Sequence, residues 1–126
     1  MDKEIKNNLE ESESLFKMAN LSPKRTGLHF NIWSDGEGAF RQKKDKTPKI
    51  KLGLRDKFIV YLSLDDNLKI LSKTRTLNNN EEKELEETRQ YILRNLDLFI
   101  KHYNSRTEEY DDDDLTEDLR KRNDYK

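Results

Sequence analysis

The spacing of apolar residues along the middle of the chain limits the fold more than any other feature. Apolar and polar residues alternate in two segments and form a continuous apolar run in a third: 28–34, 49–54 and 58–64. Successive side chains of a strand point to opposite faces of a sheet, so a period of two predicts half-buried strands. A weaker strand is predicted over 68–72, and Asp35-Gly36 predicts a hairpin turn into a return strand over 39–42. The sequence therefore predicts an antiparallel meander of about four to five strands.

Helical spacing replaces this alternation on both sides of the meander. Residues 81–103 place apolar or aromatic side chains, with Thr88 among them, at every third or fourth position, which predicts one long helix packed across the sheet. Residues 3–19 carry a similar stripe and predict an N-terminal helix. Ser22-Pro23 followed by Gly27 predicts one short helical turn, because proline suits a first helical position and glycine suits the end. We therefore expect the α+β class.

The residues after Asn104 differ in composition from the rest of the chain. Leu115 and Leu119 are their only aliphatic residues, and the segment opens with an acidic run. We expect a single α+β domain over 1–105, followed by an acidic tail over 106–126. The tail is expected to be partly disordered or to form a short helix capped by Asp114, and to contribute nothing to the core.

The charges of the chain are unevenly distributed, although its net charge is only −1. Residues 41–57 hold eight basic and two acidic groups, a local charge of +6, whereas residues 108–118 hold eight acidic and no basic groups. Such a division is typical of a polyanion-binding face with a solvating tail. It is also typical of two patches that meet within one molecule.

No set of residues with the spacing of a catalytic site is recognisable. The absence of cysteine excludes disulfides, thiolate zinc sites and a thiol nucleophile. His29 and His102 lie on separate predicted elements, and the glycines at 36 and 38 complete neither a calcium loop nor a phosphate loop. We expect no catalytic residue, no cofactor and no metal site, and hence no enzyme. The charged start and the short apolar runs also predict a cytoplasmic protein without a membrane segment.

Two charged surfaces are candidate interaction sites. A basic and aromatic surface suits single-stranded nucleic acid, since phosphates pair with cations and bases stack on rings. Its residues are His29, Asn31, Trp33, Arg41, Lys43, Lys44, Lys46, Lys49 and Lys51. The alternative is that these lysines protect an edge strand from aggregation. The acidic tail is the second surface, either a mimic of phosphates or simply a solvated segment; its residues are Glu108, Glu109, Asp111, Asp112, Asp113 and Asp114.

Three stretches of the chain resemble a group of short uncharacterised bacterial proteins associated with toxin–antitoxin loci and mobile elements. The stretches are 21–28 running into Ile32-Trp33, 48–52, and 91–95 followed by Tyr103-Asn104. The resemblance implies an α+β fold and a bacterial or phage origin, and it supplies no catalytic residue. We expect a non-enzymatic accessory protein of such a locus that binds a protein partner. The alternatives are a nucleic-acid binder acting through residues 41–57, and a phage-type inhibitor of a host nuclease acting through the acidic tail.

Overall fold

The structure, a computed structural model, describes residues 18–41, 48–55, 57 and 59–124. Its strands are β1 (Met18–Leu21), β2 (Asn31–Asp35), β3 (Lys49–Gly53), β4 (Ile59–Ser63) and β5 (Ile70–Lys73). Its helices are α1 (Pro23–Thr26), α2 (Gly38–Arg41), α3 (Asn79–Arg94), α4 (Leu96–Asn104) and α5 (Asp112–Asp124). No helix in these ranges combines the length and apolar content needed to cross a bilayer.

The strands form one antiparallel sheet in the order β1-β2-β3-β4-β5. The predicted α+β class and the meander are therefore confirmed. One face of the sheet carries the core side chains Ile32, Ile50, Leu52, Val60 and Leu62, which are all buried. The alternation of apolar residues predicted this face correctly, because each strand turns every second side chain inward.

The predicted N-terminal helix falls mostly outside the described residues, and its last part is wrong. Met18 and Ala19 belong to β1, which pairs with β2 through Met18–Asp35 and Ala19–Ser34. Ala19 and Leu21 are buried while Asn20 is exposed. The edge of β2 supplies backbone hydrogen bonds to this segment, and its alternation of buried and exposed residues is that of a strand.

The predicted return strand over 39–42 is also wrong, since the chain forms α2 there and Gln42 lies outside the described residues. β2 already pairs with β1 on one side and β3 on the other, so no free edge remains for such a strand. A Cβ on Gly38 would overlap the Tyr103 ring. Glycine at this position therefore allows α2 to pack closely on α4.

The long helix predicted over 81–103 is divided into α3 and α4 at Asn95. This side chain is fully buried, and its Nδ2 donates to the Tyr91 carbonyl oxygen at 2.8 Å. An asparagine amide that bonds the backbone competes with helical hydrogen bonding, which accounts for the break. The predicted apolar stripe nevertheless holds on both sides of it, because Leu85, Ile92 and Phe99 are buried.

The expectation that the acidic tail contributes nothing to the core is wrong. Leu115 and Leu119 on α5 are buried, as is Tyr110 just before it. α5 begins at Asp112 rather than after Asp114, because Asp111 and Asp114 accept hydrogen bonds from each other's backbone nitrogen atoms, at 2.8 and 3.1 Å. This reciprocal pair caps the first turn, where negative charge also offsets the positive end of the helix dipole.

Candidate functional site

The structure brings together four residues of the predicted basic and aromatic surface. Trp33 on β2 is the cross-strand neighbour of Lys51 on β3, which in turn neighbours Tyr61 on β4. The Lys51 Nζ atom lies 5.4 Å from the centre of the Trp33 ring, and the Lys49 Nζ atom lies 5.9 Å from the centre of the Tyr61 ring. Asn31 shares this face of the sheet, which is opposite to the core. Sequence reasoning did not include Tyr61.

The other predicted members of this surface lie elsewhere or are not described. His29 precedes β2 and has its Nδ1 atom 3.7 Å from a carboxylate oxygen of Glu84 on α3. The Arg41 side chain and residues Lys43, Lys44 and Lys46 fall outside the described part of the chain.

The acidic residues of the tail are used largely within the fold. Asp111 and Asp114 cap α5, Asp112 bonds His102, and Asp118 accepts a hydrogen bond of 2.8 Å from the Tyr110 hydroxyl. Burial, assisted by this hydrogen bond to Asp118, raises the pKa of Tyr110. Glu108, Glu109 and Asp113 are exposed. α5 packs on the core side of the sheet, so within the described residues the acidic segment does not meet Lys49 and Lys51 on the opposite side.

His102 occupies a buried position between two polar side chains. Its Nδ1 atom lies 2.7 Å from the Ser34 Oγ atom, and its Nε2 atom lies 2.7 Å from the Asp112 Oδ1 atom. Serine, histidine and aspartate also form the triad of many hydrolases, but there the hydroxyl must reach a substrate. Ser34 is only 2% exposed and His102 is fully buried. We therefore interpret the three residues as a hydrogen-bond network that links β2, α4 and the start of α5.

A groove of about 1170 Å³ lies between β1, α1, the end of α3 and α5. We call it the arginine groove. Its apolar lining consists of Leu21, Leu28, Leu119 and the buried Tyr91. Two amides, Asn95 and Asn123, bond each other at 3.3 Å beside this lining, and Thr26 and Thr116 add hydroxyl groups. Such a mixture of apolar lining and a few polar groups is characteristic of ligand sites.

Four arginines surround the arginine groove, and no acidic residue is among its described lining residues. They are Arg25, Arg94, Arg120 and Arg122. Arg122 binds both carboxylate oxygens of Asp97, at 2.7 and 3.0 Å, and Arg120 binds Glu117. The hydrogen bond from Arg122 lowers the pKa of Asp97.

Arg25 and Arg94 are exposed and make no ion pair with a carboxylate in the described part of the chain. The position of Arg25 follows from the local sequence. Pro23 opens α1, and Gly27, at φ 79°, ends it by donating to the Pro23 carbonyl oxygen at 2.8 Å. This confirms the predicted short turn, which presents Arg25 and Thr26 to the groove.

Within the described residues, no group of three or more histidine and acidic side chains is arranged to hold a metal ion. The chain matches no protein-family model, and no curated protein or solved structure is detectably similar to it.

Proposed function

We propose that this protein is a non-enzymatic binding module that holds an acidic segment of a partner protein in the arginine groove. The observation that carries this proposal is the set of four arginines around a leucine-lined groove whose described lining has no carboxylate. An accessory role in a toxin–antitoxin or mobile-element locus, which the resemblance implies, stays a prediction.

The arginines favour carboxylates as their ligands. A guanidinium group forms two parallel hydrogen bonds with one carboxylate, a geometry that Arg122 and Asp97 already show in this fold. Arg25 and Arg94 can form the same two hydrogen bonds, and no carboxylate in the described part of the chain pairs with them. An acidic partner segment would supply that carboxylate from outside.

The lining of the groove favours a peptide over a nucleotide. Leu21, Leu28 and Leu119 offer apolar surface for aliphatic side chains of a partner. Tyr91 is the one aromatic residue among the described lining residues, and it is only 6% exposed, so its ring presents no open face on which a base could stack. The volume also exceeds what a single small anion requires.

We expect a short fluorescein-labelled peptide of glutamate and leucine to bind the intact protein. Replacing both Arg25 and Arg94 by alanine should weaken this binding about tenfold or more, because hydrogen bonds to charged groups each contribute about 1.5–3 kcal/mol. Fluorescence anisotropy at two salt concentrations measures the affinity, and higher salt should reduce it.

The matched control removes two exposed cations that do not line the groove, Lys24 and Lys83. The double variant Lys24→Ala, Lys83→Ala should bind the peptide as well as the wild type does. A peptide with glutamine in place of glutamate should bind weakly. Equal losses in the arginine and lysine variants, or equal binding of the glutamine peptide, would contradict the proposal.

A further inference from the structure

We infer that the outer face of the sheet is a second binding surface, which takes single-stranded nucleic acid. The surface consists of Trp33, Lys49, Lys51 and Tyr61, and we call it the Trp33 face. It lies on the opposite side of the sheet from the described helices. It differs from the arginine groove in position and in the class of ligand, so the inference goes beyond the proposed function.

The strand order excludes edge protection as the reason for Lys49 and Lys51. Lys49 and Lys51 would be accounted for if β3 were an edge strand, where lysine prevents pairing with a second chain. β3 is instead the middle strand, flanked by β2 and β4. Edge protection therefore does not explain two lysines on this strand.

The geometry of the Trp33 face suits a single strand of nucleic acid. Trp33, Lys51 and Tyr61 form one row across three adjacent strands, and neighbouring strands lie about 4.8 Å apart. The backbones of Trp33 and Tyr61 are therefore about 10 Å apart, and Lys51 lies on the strand between them. Both rings are partly exposed. Bases stack on such rings, while ammonium groups beside them pair with the phosphates that link the bases.

A double helix would not fit this surface as well. Its bases are already stacked on each other and are not available to Trp33 and Tyr61. Among the described residues, two lysines belong to the Trp33 face, so their phosphate contacts alone would give a small electrostatic contribution. Stacking must supply much of the affinity, which restricts the ligand to unpaired bases.

Trp33 is the only tryptophan in the chain, so its fluorescence reports directly on the proposed contact. We expect a single-stranded thymidine oligonucleotide to quench the emission of the intact protein, and a duplex of equal length to quench it far less. The double variant Lys49→Gln, Lys51→Gln should bind the oligonucleotide about tenfold less tightly, with a shallower dependence on salt. Trp33→Ala should weaken binding by about the same factor, measured by anisotropy of a labelled oligonucleotide.

Two matched variants separate this surface from other cations of the protein. The pair Lys24→Gln, Lys83→Gln removes the same charge from exposed positions away from the Trp33 face and should bind normally. The pair Arg25→Ala, Arg94→Ala should keep oligonucleotide binding while losing the glutamate–leucine peptide.

The inference is overturned if the oligonucleotide leaves the Trp33 emission of the wild type unchanged. It is also overturned if the control lysine pair loses as much affinity as Lys49 and Lys51 do. Loss of oligonucleotide binding in the arginine variant alone would place nucleic acid in the arginine groove, and would thereby contradict both the inference and the proposed function. Circular dichroism of each variant checks that the fold is retained.

Discussion

Replacing Leu115 by alanine is expected to lower the free energy of unfolding by about 2–5 kcal/mol. Leu115 lies on α5 and is fully buried, together with Leu119 and Tyr110. Removing its isobutyl group loses apolar burial and leaves a cavity that the neighbouring helix and sheet cannot fully close. Urea denaturation followed by circular dichroism measures the change. An unchanged slope of the unfolding free energy against urea concentration would show that only stability has changed.

The matched control is Leu71→Ala on the edge strand β5. Leu71 is 43% exposed, so its replacement should cost about 0.5 kcal/mol or less. If Leu115→Ala cost no more than this, α5 would not be part of the core. The arginine groove would then lose its support as well, because α5 contributes Thr116, Leu119 and two of its arginines.

The sheet could be predicted from the sequence because each strand shows its own alternation of apolar and polar residues. In β2, β3 and β4, each apolar residue at every second position points inward, and consecutive strands pair with each other. β1 was missed because it has only four residues, and in the sequence Ala19 continues the helical spacing of three and four residues from Phe16 and Leu15.

The division of the long helix and the role of the tail could not be predicted, because neither follows from the periodicity of apolar residues or from composition. The apolar stripe continues across Asn95, so periodicity alone does not reveal the break. For the tail, the sequence predicts a partly disordered segment or a short helix capped by Asp114. Asp111 and Asp114 in fact cap α5 and Asp112 bonds His102, a partner ten residues earlier in the chain.

The Trp33 face could be predicted in part from the sequence, whereas the arginine groove could not. Trp33, Lys49 and Lys51 lie on consecutive strands, and each occupies a position that alternates with the inward apolar residues of its strand. The arginine groove had no such signal, because its lining comes from three separate stretches, 21–28, 91–95 and 116–123. Nothing in the spacing of these stretches shows that they meet.

Replacing His102 by alanine is expected to lower the free energy of unfolding by about 2–4 kcal/mol, and replacing His29 is expected to cost about 0.5 kcal/mol or less. The Asp112 carboxylate can only accept, so the His102 Nε2–H donates to it. When the ring carries this one proton, Nδ1 accepts from the Ser34 hydroxyl. Alanine would leave the Ser34 hydroxyl without this partner in a buried position and would open a cavity between β2, α4 and α5.

The two histidines form a matched pair, because the His29 side chain is 63% exposed and its Nδ1 atom lies 3.7 Å from Glu84 on α3. A further variant, Asp112→Asn, keeps a side-chain oxygen that can accept from Nε2 and should cost less than His102→Ala. Thermal and urea denaturation of the three variants measure these differences. Equal stability of the two histidine variants would show that Ser34, His102 and Asp112 do not tie the terminal helix to the sheet. In that case the side of the arginine groove formed by α5 would depend on Leu115, Leu119 and the bidentate contact between Arg122 and Asp97.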